Sequence, residues 1–438
     1  MAVKRPISIP RNRLSRFGHL GVAAGGIAGN IALHGLMELG KGTRPRLRDL
    51  VLTPNNFNLL TNQLAKLRGA AMKIGQLISM DTGDFLPPDL ALIMGRLRES
   101  ADNMPSKQLK KVLNEEWPKN WLHSFENFNI HPIAAASIGQ VHQAKLKDGR
   151  DLAIKVQYPG VRESIESDIK NVAILIKMSG LLPDGFVLAP YLEEAKQQLQ
   201  METDYENESC SLKRFGSLLA KSQHFVVPKV HQDWSTSNIL AMDYMKSMPI
   251  EDTFRLPQKE RNNIAQQLIE LTLCEVFDFG LMQTDPNFAN YRFQPDSKKI
   301  VLLDFGATRD IASETIKKYY SLLSAGFSGD ETAIMGAAEK IGFFDTTISN
   351  KHYKIILRMM RLVFGAVSNN GLVNFCDPTL ARRLHADGLN LIKNQFVPPP
   401  LPIEVLLMQR KFGGIFLLCS RLNASVNITK LLTPYIDC

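Results

Sequence analysis

The sequence predicts an α+β chain: a helical N-terminal block, a β-rich segment that begins near Phe125, and a long helical remainder. Three observations lead there. Leu60, Leu64, Leu67, Ala71, Ile74 and Ile78 recur at spacings of four and three, which is a helical apolar stripe. Short strand-like runs follow over Phe128 to Ile133, Ile138 to Leu146 and Leu152 to Tyr158, with Asp148-Gly149 as a hairpin turn between the last two. From Ser313 onward the pattern is helical again: Tyr319, Leu322, Leu323 and Phe327 mark one apolar face, and Ile355 to Phe364 continues in that style.

The bulk numbers bound the function. A chain of 438 residues suggests roughly two or three domains and can bury real cores. Hydrophobic content of 45% with 22% charged residues excludes wholesale disorder, collagen and coiled coil. Mean hydropathy is −0.10, and no run approaches the roughly 20 apolar residues of a membrane-spanning helix. That argues against a polytopic membrane protein. Cys210, Cys274, Cys376, Cys419 and Cys438 are scattered and form no C-x-x-C pair. They argue against a disulfide framework or a zinc site and for a reducing compartment. A net charge of +9 favours anionic partners: nucleic acid, acidic lipid or phosphate. Nucleic acid ranks last, because the basic excess is diffuse and no aromatic-basic interleaving occurs.

Part of the charge is concentrated at the start. Residues 1–37 hold Lys4, Arg5, Arg11, Arg13 and Arg16 and no acidic residue. A small-residue stretch from Leu20 to Leu33 follows, with Gly21, Gly25 and Gly29 at spacing four. On a helix these glycines share one face and let another helix approach. Asn30, His34 and Glu38 interrupt the run, which leaves it short for a span. Two readings stand: a helix that contacts a membrane surface or a partner, and a Gly-rich basic leader. A secretory signal is disfavoured by the weak hydrophobic core.

Thr53-Pro54-Asn55-Asn56 then signals a helix start. Beside the apolar stripe sit Lys73-Ile74-Gly75-Gln76. Lys73 and Gln76 are three apart and point to nearly the same side. Gly75 costs the helix about 1 kcal/mol, which is tolerable where another backbone or a ligand comes close. On context alone Lys73 reads as a solvated surface lysine. Pro87-Pro88 ends this unit, and more helix is expected up to about Asn120.

The first turn of the β-rich segment reads Ala134-Ala135-Ala136-Ser137-Ile138-Gly139-Gln140-Val141. Against the kinase phosphate loop G-x-G-x-x-G-x-V, Gly139 and Val141 are in register, while alanines replace the first two glycines. Leu152-Ala153-Ile154-Lys155 comes one hairpin later and matches the strand motif V-A-I-K, whose lysine pairs with phosphates. Glu193 to Glu208 reads as helix and carries Glu202, Asp204 and Glu208. A kinase needs one such carboxylate to hold the strand lysine. Six residues turn a helix through about 600°, so Glu202 and Glu208 face different partners.

Asp285-Pro286-Asn287-Phe288-Ala289-Asn290 places an Asn five residues after an Asp, the interval of the kinase catalytic loop. A strand from Lys299 to Leu303 and then Asp304-Phe305-Gly306 follow. In kinases the Asp of that tripeptide grips Mg²⁺ and the loop Asn takes a second ion. The order of these pieces after A-I-K carries more weight than any one of them. Two departures matter. Gln283-Thr284 stand where His-Arg would, and no A-P-E follows Asp304-Phe305-Gly306; the chain passes from Gly306-Ala307-Thr308-Arg309 into helix. The parts that handle ATP are present, while the platform for a protein substrate is not evident. In the C-terminal part, Pro398-Pro399-Pro400 punctuates, Gly413 to Leu418 reads as core, and Cys419 beside it as a buried thiol.

These residues together resemble the UbiB-type atypical kinases, also called the aarF-domain or coenzyme Q kinase-like family. The likeness rests on Lys73-Ile74-Gly75-Gln76 (K-x-G-Q), the alanine-rich loop Ala134-Ala135-Ala136-Ser137, Glu202-Thr203-Asp204 (E-x-D), Gln283-Thr284-Asp285-Pro286-Asn287 and Asp304-Phe305-Gly306. It spans about residues 60 to 310 and continues in flavour through Arg410-Lys411-Phe412-Gly413-Gly414. The resemblance implies a protein kinase-like bilobal fold with an N-terminal helical K-x-G-Q extension. It divides the chain into a basic leader (1–50), the extension (51–124), a small β-rich lobe (125–246) and a helical lobe (247–438).

The resemblance also implies roles. Lys73 and Gln76 would project where a peptide substrate otherwise binds, and Glu202 and Asp204 would engage the extension. Glu208 would pair with Lys155. The alanine-rich loop would alter nucleotide selectivity, and Met245, at the end of the small lobe, is grouped with the nucleotide contacts. Asp285 would be the base or position water, and Asn290 and Asp304 would hold metal. ATP and Mg²⁺ are the implied cofactors. The implied setting is ubiquinone biosynthesis at a membrane, bacterial inner or mitochondrial inner, with peripheral attachment to lipids. Quinone-biosynthesis enzymes, quinone precursors and a second copy through the Gly-rich helix are the expected partners. The acceptor would be water, a lipid head or a small molecule. A nucleotide-binding scaffold without turnover is the competing reading, and an ordinary protein kinase a third.

Overall fold

The structure is a computed structural model that describes residue 64 and residues 67–82, 104–179, 187–368, 371–396, 399 and 401–436. The basic leader expected over 1–50, residues 51–63, 65–66 and 83–103 of the extension (the Thr53–Asn56 helix start and Pro87-Pro88 among them), Pro398, Pro400 and the side chains of Gln76 and Ile78 lie outside the described residues. The chain divides into two compact units: one takes the chain up to Lys213 together with Lys229–Met245, the other takes Arg214–Pro228 and the chain from Lys246 onward.

The first unit is built on an antiparallel sheet of β1 (Phe125–Phe128), β2 (Ala134–Ala135), β3 (Gly139–Leu146), β4 (Asp151–Gln157) and β6 (Ile239–Asp243), in the order β1-β3-β4-β6 with β2 also on β3. The β3–β4 hairpin turns at Asp148-Gly149 as expected, and Gly149 supplies the positive φ of +95° that side-chain-bearing residues avoid. The strand expected over Phe128 to Ile133 is instead β1, placed three residues earlier. The reason is local. Asn129 Oδ1 accepts from the His131 amide at 3.0 Å, an Asx turn, and Pro132 has no amide to offer a ladder.

Helix α1 (Arg68–Thr82) packs against α3 (Val161–Ser179) and α4 (Ala189–Glu202). Helix α2 (Ser106–Glu116) covers the sheet with Leu109, Val112 and Leu113, which share one helical face. Trp117, Trp121 and Phe125 complete that core over Leu152, Ile154 and Val156. The Trp117 ring stacks on Phe125 at 5.6 Å and meets Trp234 edge-on at 5.2 Å. Such aromatic pairs add about 0.5–1.5 kcal/mol each beyond simple burial.

One continuous helix was expected from Glu193 to Glu208. The chain forms two, α4 and α5 (Tyr205–Leu218), broken at Thr203-Asp204. Thr203 Oγ1 donates to the Gln200 carbonyl at 2.8 Å, and Asp204 Oδ1 accepts from the Asn207 amide at 3.0 Å. Short polar side chains that compete for backbone groups in this way end one helix and cap the next.

The second unit carries β5 (Phe225–Val226), β7 (Met248–Pro249), β9 (Tyr291–Gln294) and β10 (Lys299–Leu302) in the order β5-β10-β9-β7. A second ladder pairs β8 (Leu281–Gln283) with β11 (Thr308–Asp310). The short β11 stands where the sequence suggested direct passage into helix. Helices α6 (Gln258–Leu273), α7 (Ser313–Ser328), α8 (Glu331–Ile341), α9 (Asn350–Ser368), α10 (Thr379–Lys393) and α11 (Ile403–Arg421) follow, together with a short ladder of β12 (Leu372–Asn374) on β13 (Ser425–Asn427) and helix α12 (Ile428–Leu432). Helix α11 is central: Val405, Met408, Lys411, Ile415 and Leu418 are all buried, at the three- and four-residue spacing of one face. Within the run Gly413 to Leu418 expected as core, Gly414, Ile415 and Leu418 are buried, Phe416 is half-buried, and Gly413 and Leu417 are exposed. Cys419 is fully buried, and that burial pushes its thiol up to about 12. Among the described residues no helix is long and apolar enough to cross a membrane.

Candidate functional site

In the first unit the strand lysine sits as its motif requires. Lys155 lies in the middle of β4, opposite Val141 on one side and Leu240 on the other. Its Nζ donates to both carboxylate oxygens of Glu208, at 2.8 and 2.9 Å. Glu208 is wholly buried in the first turn of α5. Gly139 starts β3 where a Cβ would lie 2.4 Å from the Val156 carbonyl, so no other residue fits without moving the hairpin. Ala134 and Ala135 pair with Val141 and Gln140, and the Ala136 amide donates to Gly139 O at 2.8 Å. These closures fix the alanine-rich loop. Met245 ends the unit after Tyr244, whose amide donates to Asp151 O at 2.9 Å.

The loop is tied to the extension. Lys73, only 3% exposed, approaches Glu202 Oε1 at 2.6 Å. The other Glu202 oxygen accepts a short hydrogen bond from Ser137 Oγ. Gly69 of α1 lets the helix come this close, since a Cβ there would be 2.8 Å from the Ser137 carbonyl. Glu202 and Glu208 therefore serve two lysines, one each; they stand on two separate helices, α4 and α5, and not on opposite faces of one. Lys73 is a buried, paired lysine and not the surface residue that its local context indicates. Asp204 caps α5; among the described residues no bond joins it to α1.

One layer below, Gln140 and His142 brace β3. The Met104 amide donates to Gln140 Oε1 at 2.8 Å, and Gln140 Nε2 meets His142 Nε2 at 2.8 Å. His142 Nδ1 lies 2.8 Å from the Asn129 carbonyl. A carbonyl can only accept, so Nδ1 carries the proton and Nε2 accepts from Gln140. Burial lowers the His142 pKa to about 4, and the ring is neutral at ordinary pH.

In the second unit the β8–β9 and β10–β11 connections hold the remaining candidates. Thr284 donates from both its amide (3.1 Å) and its hydroxyl (2.7 Å) to the Ala307 carbonyl, just past Asp304-Phe305-Gly306. The Leu303 amide donates to Asn290 O at 3.1 Å. These bonds bring Asp285, Asn290 and Asp304 into one neighbourhood although 19 positions separate the first and last in the sequence. Asn290 Nδ2 donates to the Asp285 carbonyl at 3.1 Å, which commits the amide nitrogen and leaves the amide oxygen to serve as an acceptor. Asp304 Oδ1 accepts from the Gly306 amide at 3.1 Å. An Asn oxygen and a carboxylate are hard ligands of the kind that a small divalent cation takes alongside phosphate oxygens and water. The donor set therefore fits such a cation. Phe305 is buried against Phe215, with ring centroids 4.6 Å apart.

Two residues behind this loop were not among the sequence candidates. Lys411 is completely buried in α11, and its Nζ reaches Gln283 O at 2.8 Å, the Tyr291 hydroxyl at 2.9 Å and Glu275 Oε2 at 2.9 Å. Burial lowers the pKa of Lys411, but the Glu275 carboxylate and Tyr291 more than reverse this and hold it above the usual lysine value. The sequence did carry a signal for it. Lys411 falls on the apolar stripe of α11, three after Met408 and four before Ile415, where a charge needs a partner.

The comparisons with known proteins agree with this geometry. The model of the ABC1 atypical kinase-like domain matches residues 96–338. Over 428 residues the chain is 38% identical to Atypical kinase COQ8, mitochondrial, of Saccharomyces cerevisiae, across 97% of this chain and 85% of that protein. It is 36% identical to Atypical kinase COQ8B, mitochondrial, of Rattus norvegicus, across 96% of this chain and 80% of that one. A solved structure, the complex of Rv3197 with erythromycin from Mycobacterium tuberculosis, is similar at a TM-score of 0.59 and 23% identity, covering 86% of this chain and 95% of that chain. At that identity the likeness speaks for the fold alone. The kinase motifs in order, the lysine–glutamate pair and these matches lead to one conclusion: the chain belongs to the ABC1 atypical kinase-like family and has its kinase-like α+β fold.

Proposed function

We propose that this atypical kinase uses ATP with Mg²⁺ to support ubiquinone biosynthesis at a membrane surface, and that it passes the phosphoryl group to water, a lipid head or another small molecule. The Lys155–Glu208 pair carries the reading, because phosphoryl transfer in kinases depends on a strand lysine held by a helix carboxylate. The rest of the chemistry follows from the side chains. Lys155 supplies a fixed ammonium for the phosphates. Asn290 and Asp304 supply the oxygens that hold the cation. When bound, Mg²⁺ neutralises the charge that builds up on the phosphates. Asp285 positions the attacking hydroxyl and takes its proton as the γ-phosphorus leaves ADP for the acceptor oxygen. Ala134 to Ser137, Gly139, Val141 and Met245 frame the nucleotide.

Lys73 and Gln76 belong to a different part of the proposal. The Lys73–Glu202–Ser137 chain of contacts couples the extension to the nucleotide loop, which supports a regulatory role and a small or lipidic acceptor in place of a peptide. The names of the yeast and rat relatives, both called mitochondrial, support a mitochondrial site of action. Attachment through the basic residues 1–37 to anionic lipid, and contact with quinone precursors and the enzymes that process them, complete the reading.

The test is genetic and chemical together. Deleting the gene should abolish cellular ubiquinone, and the wild-type gene should restore it. Lys155→Met and Asp304→Asn should both fail to do so. Normal ubiquinone in the deletion strain would end the biosynthetic reading.

A further inference from the structure

We propose that Lys411 and Glu275 form a buried clamp that sets the geometry of the loop from Gln283 to Tyr291, and so act as positioning residues for Asp285 and Asn290. The inference rests on the reading of those two residues as the reacting groups. The geometry supports it from both ends of the loop. Lys411 Nζ donates to the Gln283 carbonyl, two residues before Asp285, and to the Tyr291 hydroxyl, one residue after Asn290. One ammonium thus fastens both margins of the loop. Glu275 completes the clamp: its Oε2 lies 2.9 Å from the same ammonium and supplies the buried counter-charge that holds it in place. Gln283 is held twice by that ammonium, through its carbonyl at 2.8 Å and its side-chain Oε1 at 3.3 Å.

The elements that carry the pair fit this purpose. Glu275 sits in a π-turn, Cys274–Asp278, that follows α6. Such turns are rare and occur often at functional sites. Helix α11 touches the loop a second time, one turn beyond Lys411. A Cβ on Gly414 would lie 2.3 Å from Pro286 Cβ, next to Asp285. Stability alone gives no reason for the pair, because a buried ion pair is often no better than apolar residues of the same volume. A fixed hydrogen-bond geometry is what apolar residues cannot supply. Reaction rates are sensitive to such placement: a shift of about 1 Å can cost roughly 100-fold.

The test is the double variant Glu275→Leu with Lys411→Met in the full chain, which removes both charges and strands neither. It should melt cooperatively and keep the wild-type KM for ATP within about twofold, while kcat falls roughly 10- to 100-fold. Backbone amides of residues 283–291 should exchange with deuterium at least about 10-fold faster, with exchange elsewhere unchanged. Wild-type kcat together with wild-type exchange would overturn the clamp. Should the double variant not fold, Tyr291→Phe takes its place, since it removes one acceptor of Lys411 and keeps the ring. It should lower kcat without raising KM, and an unchanged kcat would overturn the proposal. A wild-type chain without ATP turnover would remove the functional reading instead, and the exchange comparison would still decide the clamp.

Discussion

Lys155 and Glu208 meet through two hydrogen bonds of 2.8 and 2.9 Å, with side chains only 9% and 0% exposed. This is the engaged form of the kinase lysine–glutamate pair. Taking the carboxylate charge away would leave the ammonium buried without its main counter-charge, at a cost of about 3–5 kcal/mol. Glu208→Gln should therefore lower the chemical-denaturation midpoint and weaken ATP binding together. Calorimetric titration and urea unfolding of the same preparation would check both.

The contact of the extension with the nucleotide loop predicts a steric effect at Gly69. Gly69→Ala would drive a methyl group against the Ser137 carbonyl, where only 2.8 Å is available. Overpacking of this kind costs about 1–3 kcal/mol. The substitution should destabilise the protein although alanine is the better helix former, and urea unfolding would show the sign. A gain in stability would mean that the helix does not approach the loop this closely.

His142 gives a pH prediction. Its pKa is lowered by burial from 6.5 to about 4, so between these values the unfolded chain binds a proton that the folded chain does not. The stabilisation is complete above about pH 6.5 and is lost as pH falls towards 4, amounting to about 3 kcal/mol. His142→Gln should flatten that part of the stability curve. Unfolding midpoints at pH 7 and pH 4.5, wild type against variant, would measure it.

Asp304 gives a metal prediction. A ligand that binds only the folded state raises stability by about 2.7 kcal/mol at 100 times its Kd. ATP with Mg²⁺ should raise the wild-type melting temperature more than ATP with a chelator does. Asp304→Asn should erase that difference while leaving the ligand-free melting temperature within a few degrees, as scanning fluorimetry would report.

Much of this was legible in the sequence because it depends on short-range order. The Asp148-Gly149 turn, the register of Gly139 with Val141, and the Asp285-to-Asn290 interval are local chemistry that a chain carries wherever it folds. The kinase-like fold was implied by the family resemblance that these motifs carry. The failures were at places where polar side chains redirect the backbone. Asn129 and Pro132 displaced the first strand, and Thr203-Asp204 split a helix whose periodicity looked continuous. The partners of Lys73 and Lys411 were harder still. Glu202 lies 129 positions from Lys73, and Glu275 lies 136 from Lys411, and no spacing rule reaches across such distances. Lys73 looked solvated until α1 was seen to bring it to Glu202. Lys411 stands on the apolar stripe of α11, and a charge at such a position is the signal by which its need for a buried partner could be read.

The proposed use of ATP depends on Asp285 as the group that takes the acceptor proton. Phosphate release from ATP, measured with Mg²⁺ for the wild-type chain and for Asp285→Asn, tests it most directly. Asp285→Asn keeps the shape of the side chain and removes its ability to accept a proton. The wild type should release phosphate, and the variant, still folded and still binding ATP, should lose roughly 100-fold or more of that rate. Equal rates in the two proteins would contradict it and leave a nucleotide-binding scaffold.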